Sequence, residues 1–244
     1  MASEYLKWKY RDVKPDEPVQ HTPAEKRRNW WHYHKWHVAI GVVLALAAGN
    51  ILYHVLGIGQ VKPDYQIAYV GANPLPDDTA AALESALAQL GRDCNGDGRV
   101  VVRLNQYVSG ANAQDGSGLY YATAAATALV ADMTACDSYF FLLDDPGAFQ
   151  QNYQILRRLD GALPADSDRD YESCCLTWAG CPALTGLDLG TYSEDLLGQE
   201  VSGDSQELLS GLYLARRGFW TDKTTDHVDA CDALWDALTK GAIS

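Results

Sequence analysis

The chain has 244 residues and a formal net charge of −13, with 47% hydrophobic and 21% charged residues. That length suits one or two domains with room for a sizeable core. The acidity argues against a nucleic-acid partner and against docking on an anionic lipid surface. The charge is unevenly spread: residues 1–37 hold eight Lys/Arg against five Asp/Glu, and the remainder holds 11 against 27.

Residues 1–28 place Pro15, Pro18 and Pro23 among charges without an apolar period, and they read as a disordered cytoplasmic tail. Residues 29–37 (NWWHYHKWH) follow. His32, His34 and His37 could hold a metal, but Trp and Tyr beside Lys35 fit an interfacial aromatic belt better. Residues 38–61 then run 24 positions without a formal charge. At about 1.5 Å per residue such a helix crosses the roughly 30 Å hydrocarbon core. The rival reading is a cleaved signal peptide ending at Ala45-Leu46-Ala47. It leaves a very short apolar region, and the apolar run continues past it. The expectation is a single-pass signal-anchor. The basic residues stand on its amino side, with only Lys62 just beyond, so the positive-inside rule puts the N-terminus in the cytoplasm and residues 62–244 outside the cell membrane.

The outer segment alternates strands with helices. Tyr65–Val70 is a short apolar strand. Asp77 is expected to cap a helix in which Leu83, Leu87 and Leu90 share a face, with Gly91 as its stop. Arg99–Tyr107 reads as a strand, Leu119–Cys136 as an Ala-rich helix capped by Ser117, and Ser138–Leu143 as a buried strand. Asp144-Asp145-Pro146 opens a helix to about Leu159. Residues 160–205 lose the pattern and read as an irregular Cys-containing insertion. Gly211–Arg217 is expected as a fourth strand. A last helix, Asp226–Lys240, places Val228, Cys231, Leu234, Trp235 and Leu238 on one face. The predicted fold is α/β: an open, mainly parallel sheet in the order 2-1-3-4 with helices on both faces. All six cysteines lie in the outer segment. That oxidising setting predicts at least one disulfide, with Cys174 or Cys175 joined to Cys181.

Two features could carry chemistry. Asp93, Asn95, Asp97 and Gly98 have the D-x-N-x-D-G spacing in which three side-chain oxygens and the carbonyl of Arg99 can converge on calcium. The eight-residue stretch resembles half of a dockerin or EF-hand calcium loop. It departs at the twelfth position, where Leu104 replaces the bidentate Glu, and in its helix-then-strand flanks. A bare helix-to-strand turn accounts for it equally. The second feature is the polar crest at the carboxyl ends of the strands, where open sheets bind ligands: Asn73, Asn105, Tyr107, Asp144, Asp145 and Arg217. The acids suit an amine, and Arg217 a carboxylate or phosphate. Helix capping by Asp144 or Asp145 is the plainer reading. Over about residues 64–160 the strand–helix order and outer placement resemble a lobe of an extracellular solute-binding protein, which implies binding rather than catalysis.

There is no dinucleotide, P-loop, serine-elbow or H-E-x-x-H motif. The leading expectation is therefore a membrane-anchored binding or interaction module for a small polar ligand. One alternative is a metal-assisted envelope hydrolase using Asp144 and Asp145. Another is a structural subunit that meets a membrane-protein partner through Gly41, Ala45 and Gly49.

Overall fold

The computed structural model describes residues 22–55, 61–109, 118–165, 168–196 and 199–243. The chain divides into two compact units, Met1–Gln60 and Val61–Ser244.

In the first unit, helix α1 spans Pro23–Val55. It begins 15 residues before the expected anchor, so residues 23–28 are not tail and 29–37 are helical. The reason is local. The Thr22 amide donates to Glu25 Oε2 at 3.0 Å and the Glu25 amide to Thr22 Oγ1 at 3.4 Å. This capping box stands directly before Pro23, whose fixed φ suits a first helical position. No Gly or Pro follows until Gly41. α1 is the one helix among the described residues long and apolar enough to cross a membrane, and none of its most apolar window is buried. The rest of the tail and residues 56–60 of the expected span lie outside the described residues.

The second unit is built on a five-stranded mixed sheet. Its strands are β1 (Tyr65–Gly71), β2 (Val102–Val108), β3 (Phe140–Leu143), β4 (Cys175–Thr177) and β7 (Tyr213–Arg216), in the order β2-β1-β3-β7-β4. A separate two-stranded ribbon pairs β5 (Thr191–Leu196) with β6 (Gln199–Asp204). The helices are α2 (Asp77–Leu90), α3 (Gly118–Ala135), α4 (Pro146–Tyr153), α5 (Pro182–Thr185), α6 (Ser205–Leu209) and α7 (Val228–Leu238).

β1 pairs in parallel with both β2 and β3, as expected. β7 does not: it runs antiparallel to β3 and to β4. The cause lies in the insertion. α4 stops at Tyr153 because Gln154 takes a left-handed conformation, φ 53°. The chain then lies beside β7 at the amino end of β3, where Leu156 bridges Arg217. From there it enters β4, which points the same way as β3. β4 is thus the strand that completes the parallel crossover. Leaving β4 at the carboxyl end, the chain can only return as an antiparallel β7, inserted between β3 and β4. The segment expected to be irregular supplies an edge strand, a hairpin and two short helices.

Alternation along the strands makes two cores, one on each face of the sheet. Tyr65, Ile67, Phe140, Leu142, Leu176 and Leu214 face α2, α5 and α7, meeting Leu83, Leu184 and Leu234. Ala68, Phe141, Leu143, Cys175 and Ala215 face α3 and α4, meeting Leu129 and Phe149. Each fully buried Leu or Phe contributes about 1.5–3 kcal/mol of transfer free energy. In α2 the buried face is Thr79, Leu83 and Leu87. Its N-cap is Pro76, not Asp77, and no side chain caps it. The expected cap of α3, Ser117, lies outside the described residues.

The alternation also overturns the expected disulfide. All six thiols are free. Cys174 and Cys175 pack in the α3/α4 core, whereas Cys181 packs in the core on the opposite face. Burial raises Cys174, Cys175 and Cys181, and pushes Cys231 up to about 12, so these thiols stay protonated and inert.

Candidate functional site

The crossovers from β1 through α2 to β2, and from β2 through α3 to β3, leave opposite faces of the sheet. A crevice opens between the carboxyl ends of β1 and β3, as this topology dictates. It is a cleft of about 420 Å³. Gly71 and Ala72 form its floor with Tyr107, and Asp144 and Asp145 its rim. Small residues of α3 (Ala122, Ala126) and larger ones of α4 (Phe149, Tyr153) form the walls.

Asp144 continues the ladder, its amide donating to the Val70 carbonyl at 3.0 Å. Its exposed carboxylate receives the Ala72 amide at 3.3 Å through Oδ2. Asp145 is the N-cap of α4, accepting from the Ala148 amide at 2.8 Å, with Pro146 at the first helical position. Tyr107 gives its hydroxyl to Asp132 Oδ2 at 2.5 Å. Asp132 is 5% exposed and also accepts from the Ser138 amide at 3.0 Å and the Ser138 hydroxyl at 2.6 Å. Burial, and then the hydrogen bond to Asp132, push the Tyr107 hydroxyl well above its ordinary range. The phenol remains a donor committed to Asp132, and its ring is what it offers the cleft. Tyr69 is pushed up to about 12, mainly by burial and secondly by the negative charge of Asp144.

The structure brings together three of the six expected crest residues: Tyr107, Asp144 and Asp145. Asn105 sits in mid-strand opposite Ala68 and donates to Gln66 Oε1 at 3.1 Å. Asn73 is exposed, and its carbonyl takes the Tyr69 hydroxyl at 2.8 Å. Neither lines the cleft. Arg217 is at the other end of the sheet, because antiparallel β7 carries it down beside Tyr139. Its amide donates to the Tyr139 carbonyl at 2.9 Å, and its guanidinium reaches the Met133 carbonyl and lies 5.7 Å from the Phe219 ring. The cleft therefore loses its expected cation: no Lys, Arg or His lines it among the described residues. Sequence reasoning missed the α4 wall. Its signal was present in the spacing of Phe149, Asn152 and Tyr153, at i, i+3 and i+4 behind the Asp145 cap.

Two further expectations meet their geometry here. In the 93–99 loop, Asp93 accepts the Gly96 amide at 2.6 Å and the Gly98 amide at 2.8 Å. Asn95 accepts from Asp97 and Asp97 from Arg99, each at 2.9 Å. Gly98 takes φ +84°, which a side chain would resist. These bonds hold the Asp93 carboxyl below its ordinary range, the Gly98 amide most of all. In α1, His34 stacks on Trp30 with ring centroids 5.0 Å apart and shares a 2.9 Å hydrogen bond with the Trp30 carbonyl. No group of three or more His, Cys, Asp or Glu is placed to hold a metal among the described residues.

Compared with the models of known families, with curated proteins and with solved structures, the chain matches none.

Proposed function

We propose that this is a single-pass membrane protein whose α/β unit, displayed outside the cell membrane, binds a small organic cation in the cleft between β1 and β3. The observation that carries the ligand class is the lining. An exposed carboxylate, Asp144, stands at the rim beside the rings of Tyr107, Phe149 and Tyr153, with no cation among the described lining residues. A carboxylate gives an amine a charge-assisted hydrogen bond, and aromatic faces attract cations. Small alanines on α3 leave room for an apolar body.

The membrane placement rests on α1. Its 33 residues reach about 50 Å. The uncharged stretch from Val38 onward suits the hydrocarbon, and Trp30–His37 suits the cytoplasmic interface. Protease added to intact cells should digest residues beyond 61 and spare the amino-terminal segment. Digestion of the amino end instead would reverse the topology.

A second reading has its own observation. α3 leaves Leu119, Tyr120, Tyr121 and Val130 exposed, and large exposed apolar side chains on one helix suit a contact site. This supports an interaction module with a membrane-protein partner, to which Gly41, Ala45 and Gly49 of α1 would add helix contact. Cross-linking in native membranes separates the two: a partner joined through α3 favours the interaction module.

Calcium at Asp93, Asn95, Asp97 and the Arg99 carbonyl is a separate, narrower proposal. The tie from the first-position Asp93 to the sixth-position Gly98 supports it. Calcium should raise the melting temperature of the wild type and not of Asp97→Ala.

A further inference from the structure

The end of the sheet opposite the cleft gathers the arginines. Arg216 closes β7, and the Arg157 amide donates to its carbonyl at 2.9 Å, which sets the two side chains beside each other. Arg216 is 8% exposed, and its guanidinium carbon lies 4.9 Å from the centroid of the Trp235 ring. Its Nη1 donates to Asp232 Oδ1 at 3.4 Å, and Arg157 Nη1 reaches the same oxygen at 3.8 Å. The Tyr139 hydroxyl donates to that oxygen as well. One carboxylate thus serves two guanidiniums and a phenol. Arg158 is engaged elsewhere, with Asp160 at 3.8 Å and Asp168 at 3.0 Å. Among the described residues the Arg216 Nε is buried without a hydrogen-bond partner.

Gly161 lies between the two. Its amide donates to the Arg158 carbonyl at 3.0 Å and its carbonyl accepts from Arg157 Nε at 2.7 Å, so the loop is pinned. At φ +87° a side chain would be strained here. A Cβ would stand 3.8 Å from both Arg157 Nη2 and Arg216 Nη2. The absent side chain leaves open a spot on which two guanidinium edges converge. Beside it, Arg157 and Asp232 keep 31% and 39% of their side chains exposed.

We propose that Arg157, Arg216 and Gly161 form a binding site for a tetrahedral oxyanion of the phosphate class, separate from the cleft. Two guanidinium edges converging on one point match a group that presents several acceptor oxygens. The oxyanion supplies further acceptor oxygens where three donors now crowd the single Oδ1 of Asp232.

The test uses the full-length protein in detergent with inorganic phosphate as the probe, against chloride at equal ionic strength. Phosphate is expected to raise the melting temperature saturably and to bind in calorimetry. Arg157→Gln should weaken that binding at least about tenfold, the loss of a charge-assisted contact, and Arg158→Gln should leave it intact. Asp232→Asn removes the competing carboxylate and should tighten it, a gain that no folding defect mimics. Glycerol 3-phosphate distinguishes the source: tighter binding than phosphate assigns a phosphate monoester, equal binding the free ion. Phosphate acting no more strongly than chloride, or Arg157→Gln and Asp232→Asn both binding like the wild type, overturns the site.

Discussion

The two ends of the central sheet gather different charged side chains. At the carboxyl end of β1 and β3, Asp144 and Asp145 stand over a cleft with no cation in its lining among the described residues. At the amino end, Arg157 and Arg216 share one half-exposed carboxylate. They are also fastened differently. Below the cleft, Asp132 is buried and accepts three hydrogen bonds, from Tyr107 and Ser138. At the arginine end, three donors crowd a single oxygen of Asp232. The contrast follows from the direction of one strand. Had β7 run parallel, Arg216 and Arg217 would have stood beside Asp144, and the cleft would have been zwitterionic.

The largest expected effect sharpens this difference in fastening. Asp132→Ala leaves buried donors unmatched and should cost about 3 kcal/mol in denaturant unfolding. Asp232→Asn, at a half-exposed site, should cost about 1 kcal/mol. Equal costs would erase the distinction between the two ends. Next in size is calcium at the neighbouring loop: binding to the native state alone adds about 2.7 kcal/mol at a hundredfold excess over Kd. A melting temperature unchanged by chelator would leave residues 93–99 as a plain turn.

Within the cleft rim the two acids should separate cleanly. Asp145→Ala removes the cap of α4 and should cost about 1 kcal/mol, with the ligand site otherwise present. Asp144→Asn should leave stability within about 0.5 kcal/mol, as an exposed substitution does, and should abolish ligand binding. Stability loss from Asp144→Asn greater than from Asp145→Ala would exchange their roles.

The smallest effect is a pH dependence. The Asp93 carboxyl is held low in the folded state by backbone amides. Its contribution is therefore complete above the ordinary carboxylate range and is lost as pH falls through and below about 3.9. Asp93→Asn should flatten that acid limb of the melting curve. An unchanged limb would mean the amide bonds form no more readily with the ionised group.

Much of this was legible in the residues, and the exceptions have physical causes. β1 and β3 are short apolar runs flanked by turn residues, and the leucine period of α2 shows its buried face. The acid pair was found because ligands gather where crossover direction changes. The Thr22-Pro23-Ala24-Glu25 capping box was also readable, and it marks the true start of α1. The direction of β7 was not. It depends on β4, a three-residue strand, Cys-Leu-Thr, whose length carries no signal. The Cys174 and Cys181 pairing failed for the same reason, since only the sheet shows that they lie on opposite faces. The alanines of α3 that wall the cleft could not announce a site, because alanine is as common on any helix.

Recognition of a cation through Asp144 is what the proposed binding at the acid end of the sheet depends on. The direct measurement is mass spectrometry of small molecules released from full-length protein purified from its native membrane, wild type beside Asp144→Asn. An amine-bearing compound is expected in near-stoichiometric amount from the wild type and is expected to be lost from the variant. An anionic ligand, or a compound retained equally by both, would contradict it.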